Sequence, residues 1–480
     1  MLILENKKAL VIGLEPSGIA AARLLLERGA EVLLLDSRPS LDLESVAGKF
    51  DLSEIPVRLG VKTLPVQEFD FAVVAPGILL RDPLLLELKR NEIPVISELE
   101  LGFQQSLCPN IAVSGTNGKT TTTQVIEQVL FHGHRKTVFS DEANAPLTSL
   151  VAQTKELDFL TLEVSSFQLE HTKLFRPTIA VLLNLEADHL DRYVSRAEYI
   201  QTNARLFANQ QQFDWAIVQS EALAQMRSMD LPVPGKVITF SASNRRADIF
   251  LDRSLIVSRM DDWAGPLIDM DKCKVRGPHN AESFMAALAV SRVLRLPLEQ
   301  TIEALKNYEL PPHRCEMVAE IDGVQFINDS KSTNVGALQR ALLSIPEGRA
   351  GEPNVWLIAG GRDKKFDFHD IGPLLSQRVK GAFLIGEARE KIRAAWSLFT
   401  PCTLMNSLLE AVPEAAKSAA PGEVVLLSPA CSSFDQFRGY QHRGEVYRDA
   451  VSGWSRTAGS VSSVGNHNGM KSKNEVELSQ

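Results

Sequence analysis

The chain has 480 residues, 51 Lys plus Arg against 59 Asp plus Glu, a formal net charge of −8 and 44% hydrophobic residues. That is room for about three domains with packed cores, and the acidic balance offers no basic face to a nucleic acid. Five cysteines without a C-x-x-C pair, an opening MLILENKKALVIG without an export pattern, and no apolar run near the ~20 residues of a membrane span predict a cytoplasmic protein with reduced thiols and no membrane insertion.

The runs KALVIG (8–13), EVLLLD (31–36), FAVVAPG (71–77) and PVISE (94–98) are apolar almost without a break, as parallel strands covered on both faces are. SGIAAARLLLERG between the first two reads as a helix stopped by Gly29, which makes a doubly wound α/β unit. A second unit starts at NIAVSG (110–115), with further strands in DFLTLEVSS (158–166) and TIAVLLNLEADH (178–189) and a helix in HNAESFMAALAVSRVL (279–294). Pro-Pro-His-Arg at 311–314 reads as a linker. A third alternation follows in GVQFINDS, NVWLIAGG, GAFLIGE and EVVLLSPA, spaced by helical stretches such as NSLLEAVPEAAKSAA. The Ser-, Gly- and Asn-rich end has the composition of a disordered tail. The expected domains are 1–102, 103–312 and 313–455, with the tail at 456–480.

Strand C-terminal ends are where open α/β sheets hold ligands, and the polar motifs lie there. Gly115-Thr116-Asn117-Gly118-Lys119-Thr120-Thr121 joins a strand to a helix. Glycines let the backbone curl around phosphate oxygens, Lys119 reaches β/γ-phosphates and the Thr120 hydroxyl suits Mg²⁺. Val113 stands where the full pattern has glycine, so this is a shortened phosphate loop. Glu163, ending a strand, suits the same magnesium. Asp188, His189 and Asp191 gather at another strand end and suggest metal or substrate work. Near the N-terminus, Gly13-Leu-Glu-Pro-Ser-Gly18 carries Glu15 at its middle, an anion close to any phosphate. That disfavours nicotinamide binding and leaves a nucleotide-sugar headgroup or a simple turn. In the third unit Lys331 of Asn328-Asp329-Ser330-Lys331-Ser332-Thr333 can neutralise a phosphorylated intermediate, with Asp329 orienting it or contacting nucleotide. Arg314 suits a phosphate. Ser428 to Phe437 offers hydroxyls and backbone donors to a carboxylate, and Cys431 within it reads as a buried small residue.

GTNGKTTT, LEVSSFQLE, NLEADHLDRY, GPHN, LPPHRCE, NDSKSTN and LLSPACSSFDQF together resemble the Mur ligases, the ATP-dependent amide-bond-forming enzymes of peptidoglycan synthesis, over about residues 8–450. SSFQLE, NDSKSTN and SPACSSFDQF in one chain resemble the members that add D-glutamate. The resemblance implies a three-domain α/β architecture: a Rossmann-like N-terminal domain for the UDP moiety, a central P-loop ATPase, and a C-terminal Rossmann-like domain for the incoming amino acid. It implies phosphorylation of UDP-N-acetylmuramoyl-L-alanine by ATP with Mg²⁺, then attack of the D-glutamate amine on the acyl phosphate. This is a step of cell-wall biogenesis, and so of cell shape and division.

By motif matching, the resemblance puts Lys119, Lys331, His189 and Arg314 in catalysis. ATP falls to Gly115, Thr116, Asn117, Gly118, Lys119, Thr120, Thr121, Asn280, Arg314 and Asp329, and the metal to Thr120, Glu163 and His189. Ser17, Ser37, Arg38, Gly77, Asn144 and His189 take the UDP substrate. Thr333, Lys364, Ser433, Phe434 and Tyr440 take D-glutamate. Domain closure is expected to bring Lys331 and Arg314 onto the central site, and the protein is expected to act as a monomer. Three departures from the family pattern stand out. Ala143-Asn144-Ala145-Pro146 replaces a glycine-rich stretch, Ser283 replaces an asparagine, and Asn203 stands where the family has a carbamylated lysine that helps bind a second magnesium. The last predicts weaker second-metal binding unless a group such as Asp188 compensates. Two alternatives stay open: another amide ligase of the superfamily such as folylpolyglutamate synthase, against which the extra unit at 8–98 argues, and a catalytically weakened nucleotide-binding relative.

Overall fold

Nearly continuous aliphatic runs form strands buried on both faces. The computed structural model describes residues 2–38, 55–142, 144–186, 188, 192–310, 312–363 and 366–464, with backbone alone for 350 and 456–464. The chain divides into two units, Met1–Glu309 and Leu310–Gln480.

The first unit holds two sheets. In the N-terminal one, β1 (Lys8–Ile12), β2 (Glu31–Asp36), β3 (Val57–Leu59), β4 (Phe71–Val74) and β5 (Val95–Ser97) are all parallel, in the order β3-β2-β1-β4-β5. Alternate residues serve alternate cores: Ala9 and Val11 pack in one cluster, Leu10 and Ile12 in another. That is why the sequence shows a run and no alternation. The helix Pro16–Glu27 starts with proline in its first turn and ends at Gly29, whose φ is 80°. There Ala30 N–H bonds the Leu25 carbonyl at 3.0 Å, and the glycine supplies the left-handed residue that such an ending needs. Strand order reverses between β1 and β4, so the crevice outside their C-terminal ends is the place for a ligand.

The second sheet has nine strands: β6 (Asn110–Ser114), β7 (Thr137–Ser140), β8 (Phe159–Glu163), β9 (Ile179–Leu182), β10 (Trp215–Gln219), β11 (Lys236–Ser241), β12 (Ile249–Asp252), β13 (Leu255–Ser258) and β14 (Gly265–Asp269). Their order is β14-β13-β12-β11-β10-β9-β6-β8-β7. β7 to β12 pair in parallel, and β12-β13-β14 close the edge as an antiparallel meander. The helix Lys119–His132 leaves β6 and packs on Pro278–Val293, where the Thr122 hydroxyl donates to Ser283 Oγ at 2.9 Å.

The second unit has one sheet of β15 (Glu316–Ile321), β16 (Val324–Asn328), β17 (Val355–Gly360), β18 (Val379–Ile385), β19 (Cys402–Leu404) and β20 (Val424–Leu427), ordered β15-β16-β20-β17-β18-β19. Only β15 runs antiparallel to its neighbour. The last helix is Tyr440–Val464, so residue 456, where the tail was expected to begin, lies inside it; residues 465–480 lie outside the described residues. All five cysteines are free thiols. Among the described residues, no helix is long and apolar enough to cross a membrane.

Candidate active site

The turn between β6 and Lys119–His132 is held open by glycine. Gly115 has φ +134° and Gly118, the residue capping the helix, φ +87°, both costly for a side chain. A Cβ on Gly115 would meet the Asn184 backbone nitrogen at 3.0 Å. Asn184, at the end of β9, braces the turn from the side. Its carbonyl accepts from Thr116 N–H at 2.9 Å, its Oδ1 from Asn117 N–H at 2.9 Å, and its Nδ2 donates to the Asn117 carbonyl at 3.0 Å. Thr116 Oγ1 shares a 2.9 Å hydrogen bond with the Tyr199 hydroxyl and accepts from Glu186 N–H at 2.9 Å. Asn117 Nδ2 donates to Glu186 Oε2 at 3.0 Å. The loop is therefore preorganised. Lys119 folds back so that Nζ donates to the Gly115 and Thr116 carbonyls at 2.7 and 3.1 Å, which keeps the ammonium at the mouth of the turn. Thr120 is the second residue of the helix and Thr121 behind it is buried. Asn280 is buried at the start of its helix, where Nδ2 donates to the Arg276 carbonyl at 2.7 Å.

β8 pairs with β6 so that Glu163 lies opposite Val113, one strand from the loop. Sequence reasoning missed Glu142. It accepts from Ser165 Oγ at 2.7 Å, burial pushes its carboxyl upward, and Lys119 opposes that shift while Glu163 and Glu15 add to it. The Thr120 hydroxyl and Glu163 are hard oxygen donors beside a phosphate loop, and as such fit one magnesium. Among the described residues, no group of three or more His, Cys, Asp or Glu side chains is placed to hold a metal. Asp188 is buried, whereas His189 and Asp191 lie outside the described residues. Asn203 does not fit a second cation. It is 0% exposed, its Oδ1 accepts from Ser114 Oγ at 3.3 Å and its Nδ2 donates to the Tyr199 carbonyl at 2.8 Å. Asn144 binds locally, to Asp141 Oδ1 through its N–H at 2.5 Å and to Oδ2 through Nδ2 at 2.9 Å.

Of the residues matched to the UDP substrate, Ser17, Ser37, Arg38 and Gly77 gather at the C-terminal side of the first sheet. Asp36, fully buried at the end of β2, accepts from Leu14 N–H at 2.8 Å and from Arg38 through Nε at 2.9 Å and Nη2 at 2.6 Å. Those bonds hold its carboxyl below the usual carboxylate range against the opposing effect of burial. Ser37 Oγ donates to Asp82 at 2.7 Å, and Ser17 is buried in the first helical turn. Arg192, also missed, ties this crevice to the second sheet: Nη1 and Nη2 donate to the Pro76 and Ile78 carbonyls, each at 2.9 Å. The only sequence signal for it was its place in the strand-end motif after His189.

In the second unit, Asp329 is buried between Cys315 N–H at 3.2 Å and Ser428 Oγ at 2.9 Å, and burial pushes its pKa up to about 6. Arg314 lies close enough to oppose that shift, and its Nε is buried with no hydrogen-bond partner among the described residues. Lys331 Nζ sits 5.2 Å from the Tyr440 ring centroid, a cation–π contact, and its N–H bonds the His313 carbonyl at 3.1 Å. Thr333 is half-buried, Ser433 buried, and Phe434 beside it 66% exposed. Lys364 lies outside the described residues. Cys431 is fully buried, and burial pushes its thiol up to about 12, which makes it inert at neutral pH.

The chain matches three family models in series: the Mur ligase MurD-like N-terminal domain over residues 7–97, the Mur ligase middle domain over 113–291, and the Mur ligase glutamate ligase domain over 313–431. Curated relatives named UDP-N-acetylmuramoylalanine–D-glutamate ligase are similar over nearly the full length. The one from Acidobacterium capsulatum is 37% identical over 93% of this chain and 96% of its own, and that from Geobacter metallireducens 36% identical over 93% and 98%. Among solved structures, the MurF ligase of Thermotoga maritima in complex with ADP superposes with a TM-score of 0.60 at 15% identity, covering 95% of this chain and 96% of its own. UDP-N-acetylmuramate-alanine ligase MurC from the same organism gives 0.58 at 18% identity, covering 93% and 100%.

Proposed function

The chain belongs to the Mur ligase family of ATP-dependent amide-bond-forming ligases, and from that premise we propose that it joins D-glutamate to UDP-N-acetylmuramoyl-L-alanine in peptidoglycan precursor synthesis. The observation that carries the reading is the braced phosphate turn at 115–120 with Lys119 at its mouth, in a chain similar over nearly its whole length to ligases of that name.

A carboxylate is a poor electrophile at neutral pH, so ATP activates it. A carboxylate oxygen attacks the γ-phosphorus, ADP leaves, and an acyl phosphate forms. The D-glutamate amine then adds to the acyl carbon, loses a proton, and the tetrahedral intermediate expels phosphate. The backbone N–H groups at the start of the helix Lys119–His132 hold the phosphates, and Lys119 exchanges its loop carbonyls for β/γ oxygens. Thr120 and Glu163 would hold magnesium, which would offset anionic repulsion at the transferring phosphoryl. We assign Lys331 and Arg314 to the charge that develops on transfer, and Asn280 and Asp329 to the nucleoside. Ser433, Phe434, Thr333, Lys364 and Tyr440 are assigned to D-glutamate.

Phosphate release from ATP is the test. It should require both UDP-N-acetylmuramoyl-L-alanine and D-glutamate, and no other amino acid should replace the latter. Release with a different amino acid, or with a folate in place of the UDP substrate, overturns the assignment. Asn203 supports a second reading, nucleotide binding without turnover, which the same assay returns as ATP binding with no phosphate release.

A further inference from the structure

The crevice at the strand-order reversal of the first sheet is built to receive an anion. The Gly77 backbone N–H, the Arg38 guanidinium and the positive end of the helix Pro16–Glu27 meet there. The chain lays one of its own carboxylates on these groups. Glu15, the residue before the helix, accepts from Gly77 N–H at 3.2 Å through Oε2, and its Oε1 lies 3.6 Å from Arg38 Nη1. The carboxyl takes the space in front of Gly77 so fully that a Cβ there would lie 2.2 Å from Oε1. Two ordinary explanations fail. The side chain makes no capping hydrogen bond to its own helix. Nor does Arg38 need it as a counter-ion, because Asp36 already holds that guanidinium through two hydrogen bonds. Glu15 is also poorly housed: burial pushes its carboxyl upward, and the neighbouring Asp36 charge adds to that, against the help of Arg38, Gly77 and Arg192.

We propose that Glu15 is an internal occupant of the phosphate subsite in the UDP-binding crevice, and that it sets this chain's affinity for the uridine nucleotide because it must be displaced for a phosphate to reach Gly77 and Arg38. The proposal rests on the reading of the N-terminal domain as the one that takes the UDP substrate. It also gives the middle residue of Gly13-Leu-Glu-Pro-Ser-Gly18 a function: a residue that a dinucleotide loop would not tolerate is here a competitor built into the turn.

The experiment is isothermal titration of the full chain and its Glu15→Gln and Glu15→Ala variants with UDP and, separately, with uridine. Glutamine keeps the size and the acceptor for Gly77 but not the charge, so the fold is preserved; alanine empties the subsite. Both variants should bind UDP more tightly by on the order of tenfold, the cost of one like charge beside a bound anion, and uridine as the parent does. Unchanged or weaker UDP binding in both variants overturns the proposal while leaving the domain assignment standing. An equal gain for uridine also overturns it, because the effect would then be one of shape. If the parent and both variants all fail to bind UDP, the assignment of the domain falls and takes the proposal with it.

Discussion

Replacing Arg192 with methionine tests how the first unit holds its ligand loops together. The guanidinium bonds Glu170 through Nε at 2.7 Å and Nη2 at 2.5 Å, donates to the Pro76 and Ile78 carbonyls, and lies 4.3 Å from the Phe167 ring centroid. Side-chain exposure is 5% for Arg192 and 4% for Glu170, so neither charge has water to fall back on. Methionine keeps most of the stem against Phe167 and removes only the cation. An uncompensated buried carboxylate and two carbonyls without their donor remain, which costs about 3–5 kcal/mol. Adding Glu170→Gln removes the stranded charge, so the double variant should recover a good part of the loss. Urea unfolding measures both, and hydrogen exchange over residues 71–80 should rise in the single variant, because Pro76 and Ile78 have lost their anchor. A single variant weaker by less than about 1 kcal/mol, or a double variant no better than the single, would refute the argument that the pair matters as a buried charge.

Lys119→Ala should abolish ATP turnover while leaving the circular dichroism spectrum and melting temperature close to the parent's; near-normal turnover would remove the phosphate-loop assignment. Lys331→Ala should lower kcat by on the order of 10²–10³, as for loss of one preorganised charge, and an unchanged kcat would take Lys331 out of the site. Asn203→Lys, assayed with bicarbonate so that the amine can carbamylate, should raise magnesium affinity measured by titration, and no rise would mean that position 203 does not serve the metal. Glu98 is fully buried, accepts from Thr148 N–H and Oγ1 at 2.7 and 2.8 Å, leaves Oε2 without a partner, and has its pKa raised to about 7 by burial. The folded state therefore holds a proton that the unfolded chain releases near the ordinary value. Stability from this group is present below that value and is lost as pH rises to 7, by up to about 3 kcal/mol. Glu98→Gln should accordingly flatten the urea midpoint between pH 5 and 8, and an unchanged pH dependence would contradict the shift.

What could be read from the sequence was whatever local covalent geometry or two-sided burial forces on it. β1 and β2 stand out because every residue after the first is buried, half in one core and half in the other. Gly115 and Gly118 stand out because the turn needs left-handed residues there. The β12-β13-β14 meander did not stand out. Its strands span four or five residues, Leu255 is 39% exposed, and the β12–β13 turn uses Arg253 at φ 57° where a glycine would have signalled a hairpin. Nor could the partners of the loops be read, since these are long-range choices: Thr116 meets Tyr199 across 83 positions, and Arg192 meets Pro76 across 116.

The same limit applies to the charge that shapes the second unit. Arg443 is 0% exposed, and each of its hydrogen bonds among the described residues goes to a neutral oxygen: Ser330 Oγ at 3.1 Å, the Ser330 carbonyl at 2.8 Å and the Cys431 carbonyl at 3.1 Å. Burial pulls its pKa down to about 10, which still leaves it charged at neutral pH. One consequence follows from this side chain. The turn that carries Lys331 and the turn that leads to Ser433 are fixed to the same planar group, so neither can shift without breaking bonds to the other. The positive charge has no acid in hydrogen-bond contact among the described residues, and the charges of Asp435 and Asp329 offset part of it from a distance. Spacing along the chain marks where such loops begin; a distant buried cation decides how rigidly they are held.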